Sequence, residues 1–285
     1  MSNTDPAPRV AVVGDNCIDL ILPSGQRFVG GNAVNVGVQL AALGARVCYF
    51  GAVGDDADGA LVRAALAERG IDLAGLVLRP DRPTARTTIL VDAAGDRSIG
   101  SEDFGACDGF TPGAAARAAL QGMAHVHLGW LNDGGALRRH LAARRVPVSQ
   151  DIGVNAAPED LGVDGLAIAF ASTSGSHAEA RALADELRAR GARGVAVTRG
   201  ARGSSAFLPD GEAEQPALPV VPRDTTGAGD AYIAGFLMAR LAGAGVAEAV
   251  AAAARVAARA CLHPGGFPQQ PATSSLSGSG SPGSR

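Results

Sequence analysis

Asp224-Thr225-Thr226-Gly227-Ala228-Gly229-Asp230 sets a glycine-rich turn and a carboxylate against an apolar, alanine-rich helical run. Gly227 and Gly229 carry no side-chain bulk, so backbone N–H groups can converge there on an anion at the positive end of a helix dipole. Phosphate suits such a turn. Beside it, Asp230 can take the proton of an attacking hydroxyl, which is what a catalytic carboxylate does in phosphoryl transfer. The same string also reads as an Asp-rich loop capping a helix, and the local sequence leaves both readings open.

Outward from this stretch, short β-branched runs alternate with segments of helical spacing. Residues 10–13, 47–50, 124–128, 146–149, 166–171 and 194–198 read as strands. Residues 34–43, 59–69, 114–120, 135–144 and 178–190 read as helices, and 246–262 as a last helix stopped by His263-Pro264-Gly265-Gly266. The alternation implies βαβ units, hence an α/β fold whose mainly parallel central sheet is covered on both faces, with ligands at the strand carboxyl ends. Residues 19–29 and 87–99 interrupt the pattern as strand-like pieces with turn signals, and they predict a small antiparallel flap beside the main sheet. The folded domain is expected over 1–272, followed by a disordered Ser/Gly-rich tail at 273–285.

At 285 residues the chain can bury a large core, and its formal charge is −3. Basic residues run no longer than the pairs Arg138-Arg139 and Arg144-Arg145, so nucleic acid and anionic membrane are not expected partners and a small molecule is. All 25 basic residues are arginine. Without lysine there is no P-loop, no protein-kinase strand lysine and no pyridoxal-phosphate Schiff base, so any nucleotide is held without an ammonium group. Cys17, Cys48, Cys107 and Cys261 are scattered, which argues against a zinc site or a disulfide framework. No charged-then-apolar leader opens the chain and no apolar run of about 18 residues crosses it, so a soluble protein of the reducing cytoplasm is expected.

Three motifs then combine. Gly30-Gly31-Asn32-Ala33-Val34-Asn35, Thr198-Arg199-Gly200-Ala201-Arg202-Gly203 and 224–230 occur in an order and spacing that resemble the ribokinase/PfkB family of carbohydrate kinases over roughly residues 9–268. Together with the paired glycines, Gly14-Asp15-Asn16-Cys17-Ile18-Asp19 is similar to the family's fructosamine branch. The resemblance implies a ribokinase-like three-layer αβα fold, with the flap serving as a small β-strand lid. It implies ATP-dependent phosphorylation of a primary hydroxyl of a fructosamine or related ketose, with ATP and Mg²⁺, a monovalent cation as a further candidate, and a homodimer through the lid. In that frame Asp230 is the catalytic base, and the N–H groups of Gly227, Ala228 and Gly229 form the anion hole. Asp19, Gly30, Gly31, Asn32 and Asn35 meet the sugar. Thr198, Gly200, Gly203, Thr225, Gly227 and Gly229 meet ATP, and no side chain ligates the metal directly.

The residues themselves carry part of this. Gly30 and Gly31 let backbone approach a sugar closely, the Asn32 and Asn35 amides both donate and accept, and Asp19 is a pure acceptor. A helix cap at Asn35 and a turn at Asp19 are the structural alternatives. Arg97 could reach a substrate carboxylate or phosphate, or be a solvated edge charge. His125 and His127 alternate beside Trp130 without a third ligand, which favours a core or pocket-wall role. Cys261-Leu262-His263 resembles an adenine-side wall. The family's Asn-x-x-Glu motif has no counterpart at Ser172-Thr173-Ser174-Gly175, which leaves metal placement open. The helix dipole favours an ionised Asp230. Kinases of other polyols (a ketohexose, 2-keto-3-deoxygluconate or a nucleoside) and a catalytically silent sugar or nucleotide sensor remain as alternatives.

Overall fold

The computed structural model describes residues 7–91, 97–155 and 157–273. In chain order its strands begin with β1 (Arg9–Val13), β2 (Cys17–Leu22), β3 (Gln26–Gly30), β4 (Arg46–Gly54) and β5 (Asp72–Arg79). They continue with β6 (Arg86–Val91), β7 (Arg97–Asp103), β8 (His125–Leu128), β9 (Val148–Asp151) and β10 (Ile168–Ser172). The last are β11 (Val195–Thr198), β12 (Ser204–Leu208), β13 (Gly211–Gln215) and β14 (Ala272–Thr273). The helices are α1 (Asn32–Ala42), α2 (Ala57–Ala67), α3 (Ala114–Leu120), α4 (Ala136–Ala142), α5 (His177–Ala189), α6 (Ala228–Leu241) and α7 (Val246–Ala260).

Among the described residues, the large sheet runs β13-β12-β11-β10-β9-β8-β1-β4-β5. Every neighbouring pair from β11 to β5 is parallel, and β12 and β13 turn back as an antiparallel edge. Strand periodicity divides the core in two. Val10, Val12, Val47 and Tyr49 face the cluster built by α1, α2, α6 and α7, whereas Ala11, Val13, Cys48 and Phe50 face the one built by α3, α4 and α5. This is the three-layer α/β arrangement expected.

The second sheet, β14-β3-β2-β6-β7, is the lid. Its two hairpins are antiparallel as expected, but the seam between them, β2 with β6, is parallel. The reason is directional: β2 follows β1 and β6 follows β5, two strands that run the same way. One carboxylate ties the lid to the body. Asp58, in the first turn of α2 and 1% exposed, accepts from Arg86 Nε of β6 at 2.5 Å and pairs with Arg27 of β3. Ala272 and Thr273 pair with Arg27 and Gln26 at the lid edge, and the rest of the expected tail, 274–285, lies outside the described residues.

Two boundaries differ instructively from the sequence reading. Helix α1 starts at Asn32, two residues early, because Gly31 takes φ 104° and the Asp15 carboxylate accepts the Asn32 and Ala33 N–H groups at 2.8 and 3.1 Å. That cap comes from 17 residues upstream. Strands β5, β12 and β13 escaped the reading: β5 alternates exposed and half-buried positions, and β13 is Gly-Glu-Ala-Glu-Gln, poor in β-formers.

Replacing Asp58 with Ala should strand the lid-side guanidinium donors and cost about 2 kcal/mol. Urea unfolding and hydrogen exchange will check this, with faster exchange expected in β2, β3 and β6 and unchanged protection in β1, β8 and β9.

Candidate active site

Parallel strands deliver the site to one edge of the sheet. Asp15 and Asn16 follow β1, Trp130 follows β8, Asp151 ends β9 and Thr198 ends β11. Helix α6 begins at the same edge with Gly227 as its N-cap at φ 75°, so Asp230 lies in the first helical turn and not ahead of it. The turn is held from both sides. Asp224 accepts from Thr226 N at 3.0 Å and from Gly265 N at 2.8 Å, and a Cβ on Gly227 would stand 2.5 Å from the Gly266 Cα. The loop after α7 therefore fixes the turn before α6.

Two cavities meet on this turn. The first, about 540 Å³, lies under the lid and is lined by Asp15, Asp19, Gly31, Asn32, Asn35, Trp130, Thr226, Gly227 and Asp230, with Thr87, Ile89, Glu102 and Asp103 from the lid strands. Phe104 and Trp130 stack at 3.8 Å to form one wall. The second, about 670 Å³, is lined by Thr198, Gly200, Gly203, Thr225, Ala228 and Gly229. Much of the rest of its lining is apolar, including Leu218, Val220, Pro222, Ala254, Ala257 and Cys261. Thr226, Gly227 and Asp230 thus face one chamber, and Thr225, Ala228 and Gly229 face the other.

Asp230 is half-buried on the floor of the first cavity. Asn32 Nδ2 donates to its Oδ1 at 2.6 Å and Asn35 Nδ2 to its Oδ2 at 2.7 Å. Burial, reinforced by the nearby Asp151 and Asp15 charges, outweighs these bonds and lifts its carboxyl to about 8. The expected ionised side chain is corrected here: desolvation wins over the helix terminus, and the group becomes a better proton acceptor once it does ionise. Asp151, which also accepts from Asn32 Nδ2 at 2.9 Å, is raised to about 6, again mainly by burial.

The remaining expectations divide. Gly31, Asn32, Asn35 and Asp19 line the first cavity. The glycines, however, serve the protein before any sugar: a Cβ on Gly30 would meet Asp19 Oδ2 at 2.6 Å, and one on Gly31 the Asn16 Cα at 2.6 Å. Asn35 sits inside α1 and its amide goes to Asp230, not to a cap. Of the three amides assigned to the anion hole, that of Ala228 closes a turn on Thr225 O at 3.2 Å, while those of Gly227 and Gly229 meet no acceptor among the described residues. Arg97 opens β7, and its side chain lies outside the described residues. His125 and His127 are buried and share the Ser149 hydroxyl at 2.8 and 2.9 Å, with burial pushing them down to about 4 and about 3. Cys261 reaches the second cavity, Leu262 is exposed, and His263 contacts its neighbour Pro264. Ser172 bonds to Thr198 across the strand ends, and the first carboxylate after it, Glu179, closes the capping box of α5 on Ser176.

The PfkB family carbohydrate kinase model matches residues 7–129 and 163–272. The chain belongs to the PfkB family of carbohydrate kinases. It is an ATP-dependent sugar kinase with the ribokinase-like fold. This PfkB chain is 31% identical over 262 residues to fructoselysine 6-kinase of Escherichia coli, covering 90% of the chain and 99% of the relative. It is 33% identical over 214 residues to an ATP-dependent ribose-1-phosphate kinase of Halopiger xanaduensis, covering 73% and 72%. Among solved structures, Arabidopsis thaliana ribokinase complexed with ribose and ATP superposes with a TM-score of 0.84 at 23% identity, covering 91% of this chain and 94% of that one.

For this PfkB kinase, motif reading missed Asp151 and gave no role to Asp15 or Asp224, although both stand inside quoted motifs; all three carboxylates hold the site. Asp15 comes after the glycine that follows β1 and Asp151 ends β9, but their partners on α1 lie 17 and 119 positions away, beyond the reach of local spacing.

Between the ordinary value of 3.8 and about 8, folded Asp230 holds a proton that the unfolded chain lacks. Stability therefore falls as pH rises through that interval, and the loss is complete above it. Asp230→Asn removes the effect, so its melting temperature should gain on the wild type steadily from about pH 5 to about pH 9. A constant gap in differential scanning fluorimetry across that range would refute the raised carboxyl.

Proposed function

We propose that this kinase transfers the γ-phosphoryl group of ATP to a primary hydroxyl of an amine-bearing ketose of the fructosamine type, with Asp230 as the base. The observation that carries the reading is the shared wall: the 224–230 turn faces a lidded, carboxylate-lined chamber on one side and a more apolar chamber on the other. ATP lies in the second, its base against the apolar lining and its γ-phosphate at the start of α6, where the Gly227 and Gly229 amides meet the developing charge. The sugar lies in the first. Asp230 accepts the hydroxyl proton as the new oxygen–phosphorus bond forms, and the bond to ADP breaks in line with it. Lid closure over the sugar excludes water that would otherwise hydrolyse ATP.

Mg²⁺ fits as a companion of the nucleotide. Among the described residues no group of three or more His, Cys, Asp or Glu side chains is placed to hold a metal, and Mg²⁺ is commonly bound through substrate phosphates and water. It would supply charge neutralisation on those phosphates.

The choice of sugar rests on two supports. The relatives named above include a kinase of fructoselysine, and five carboxylates, Asp15, Asp19, Glu102, Asp103 and Asp230, border the sugar chamber. That lining favours an ammonium-bearing acceptor over a phosphorylated one such as ribose 1-phosphate.

Two measurements test the reading. Asp230→Asn should lose turnover by about three orders of magnitude or more while keeping its affinity for ATP, and equal losses in both would make the residue a loop builder only. In an ADP-release assay, a fructosamine should give a higher kcat/KM than fructose, ribose 1-phosphate, 2-keto-3-deoxygluconate or a nucleoside. A phosphorylated acceptor in first place would overturn the substrate class, and ligand-induced thermal shifts without any turnover would mark a sensor.

A further inference from the structure

We propose that Asp151 is a positioning residue for phosphoryl transfer, fixing through the Asn32 amide the direction in which Asp230 presents its carboxylate. This rests on the reading of Asp230 as the base. The Asn32 NH₂ group spends both hydrogens on carboxylates, one on Asp230 Oδ1 at 2.6 Å and one on Asp151 Oδ2 at 2.9 Å. Its own oxygen is buried without a hydrogen-bond partner among the described residues and lies 2.7 Å from where a Cβ on Gly129 would stand. The oxygen end therefore holds nothing in place, and the two carboxylates alone decide which way the amide faces. Asp151 is itself anchored at the end of β9, where its Oδ1 accepts from Gly153 N at 2.9 Å. A rigid strand end thus sets the amide, and the amide sets the base.

The same geometry places a second negative charge against Asp230. The other ionisable groups around it are Asp15, which receives the N–H groups of Asn32, Ala33 and Trp130, and the cavity residues Cys17, Asp19, Glu102 and Asp103. Asp15 is committed to capping α1. Asp151 is the group whose charge reaches Asp230 through a single shared donor, and that charge adds to the burial that raises it.

Asp151→Asn leaves a single acceptor oxygen for two donors, Asn32 Nδ2 and the Gly153 N–H, and removes the charge. The full-length D151N enzyme should lose at least about tenfold in kcat with KM for ATP unchanged, because the nucleotide chamber is untouched. The acid limb of its kcat/KM profile should move down by about one pH unit, since Asp230 then ionises more readily. Asn32→Ala should mask the effect, so that the D151N/N32A double variant is no slower than N32A. An unmoved acid limb, a kcat at wild-type level, or losses that multiply in the double variant would overturn the proposal. D151S, which keeps an acceptor for the Gly153 N–H without the charge, runs in parallel. If neither variant gives a cooperative melting curve, Asp151 belongs to the fold and the inference fails. Asp230→Asn separates the two readings: wild-type turnover there removes the base itself, whereas an inactive Asp230→Asn beside a normal D151N removes the positioning role alone.

Discussion

Two asparagine amides on α1 hold one carboxylate on α6, and the site depends on that clasp. Residues 32 and 35 meet residue 230 at 2.6 and 2.7 Å across nearly 200 positions of chain. The contact is possible because α1 and α6 pack on the same face of the sheet and contribute to one apolar cluster, so hydrophobic burial brings the polar groups to hydrogen-bonding range. Once there, the amides offset only part of the cost of removing a carboxylate from water. The remainder appears as a reluctance of Asp230 to ionise, which is what makes it a capable proton acceptor when it does.

Much of this architecture is legible in the chain itself. The buried strands β1 and β11 announce themselves as Val-rich runs because both of their faces are covered, and the helices show a regular apolar spacing. The Asp224–Asp230 turn stands out because a left-handed, closely packed helix start needs glycine at a fixed place, Gly227. Edge strands β5 and β13 are less visible: half of their surface meets solvent, so nothing in their composition marks them.

The site was legible in its motifs and illegible in its supports. Gly30 and Gly31 signal a crowded backbone, but the sequence does not say that the crowding comes from Asp19 and Asn16. Likewise, beyond burial itself, the raised Asp230 carboxyl owes part of its shift to the charges of Asp151 and Asp15, 79 and 215 positions away in the chain, and local spacing carries no trace of either. Long-range capping of α1 by Asp15 belongs to the same class, for a helix start set by a carboxylate on another element lacks a local signature.

The turn shared by the two chambers has an evolutionary corollary. Because its residues are divided between the two chambers, a change within 225–230 alters the walls of both, so this stretch is constrained twice over. Leu218, Pro219, Val220 and Pro222 border the second chamber alone, and Glu102, Asp103 and Phe104 border the first chamber alone. Either chamber can therefore be reshaped from its own side, one from the lid strands and the other from its apolar rim, with the shared turn left intact between them.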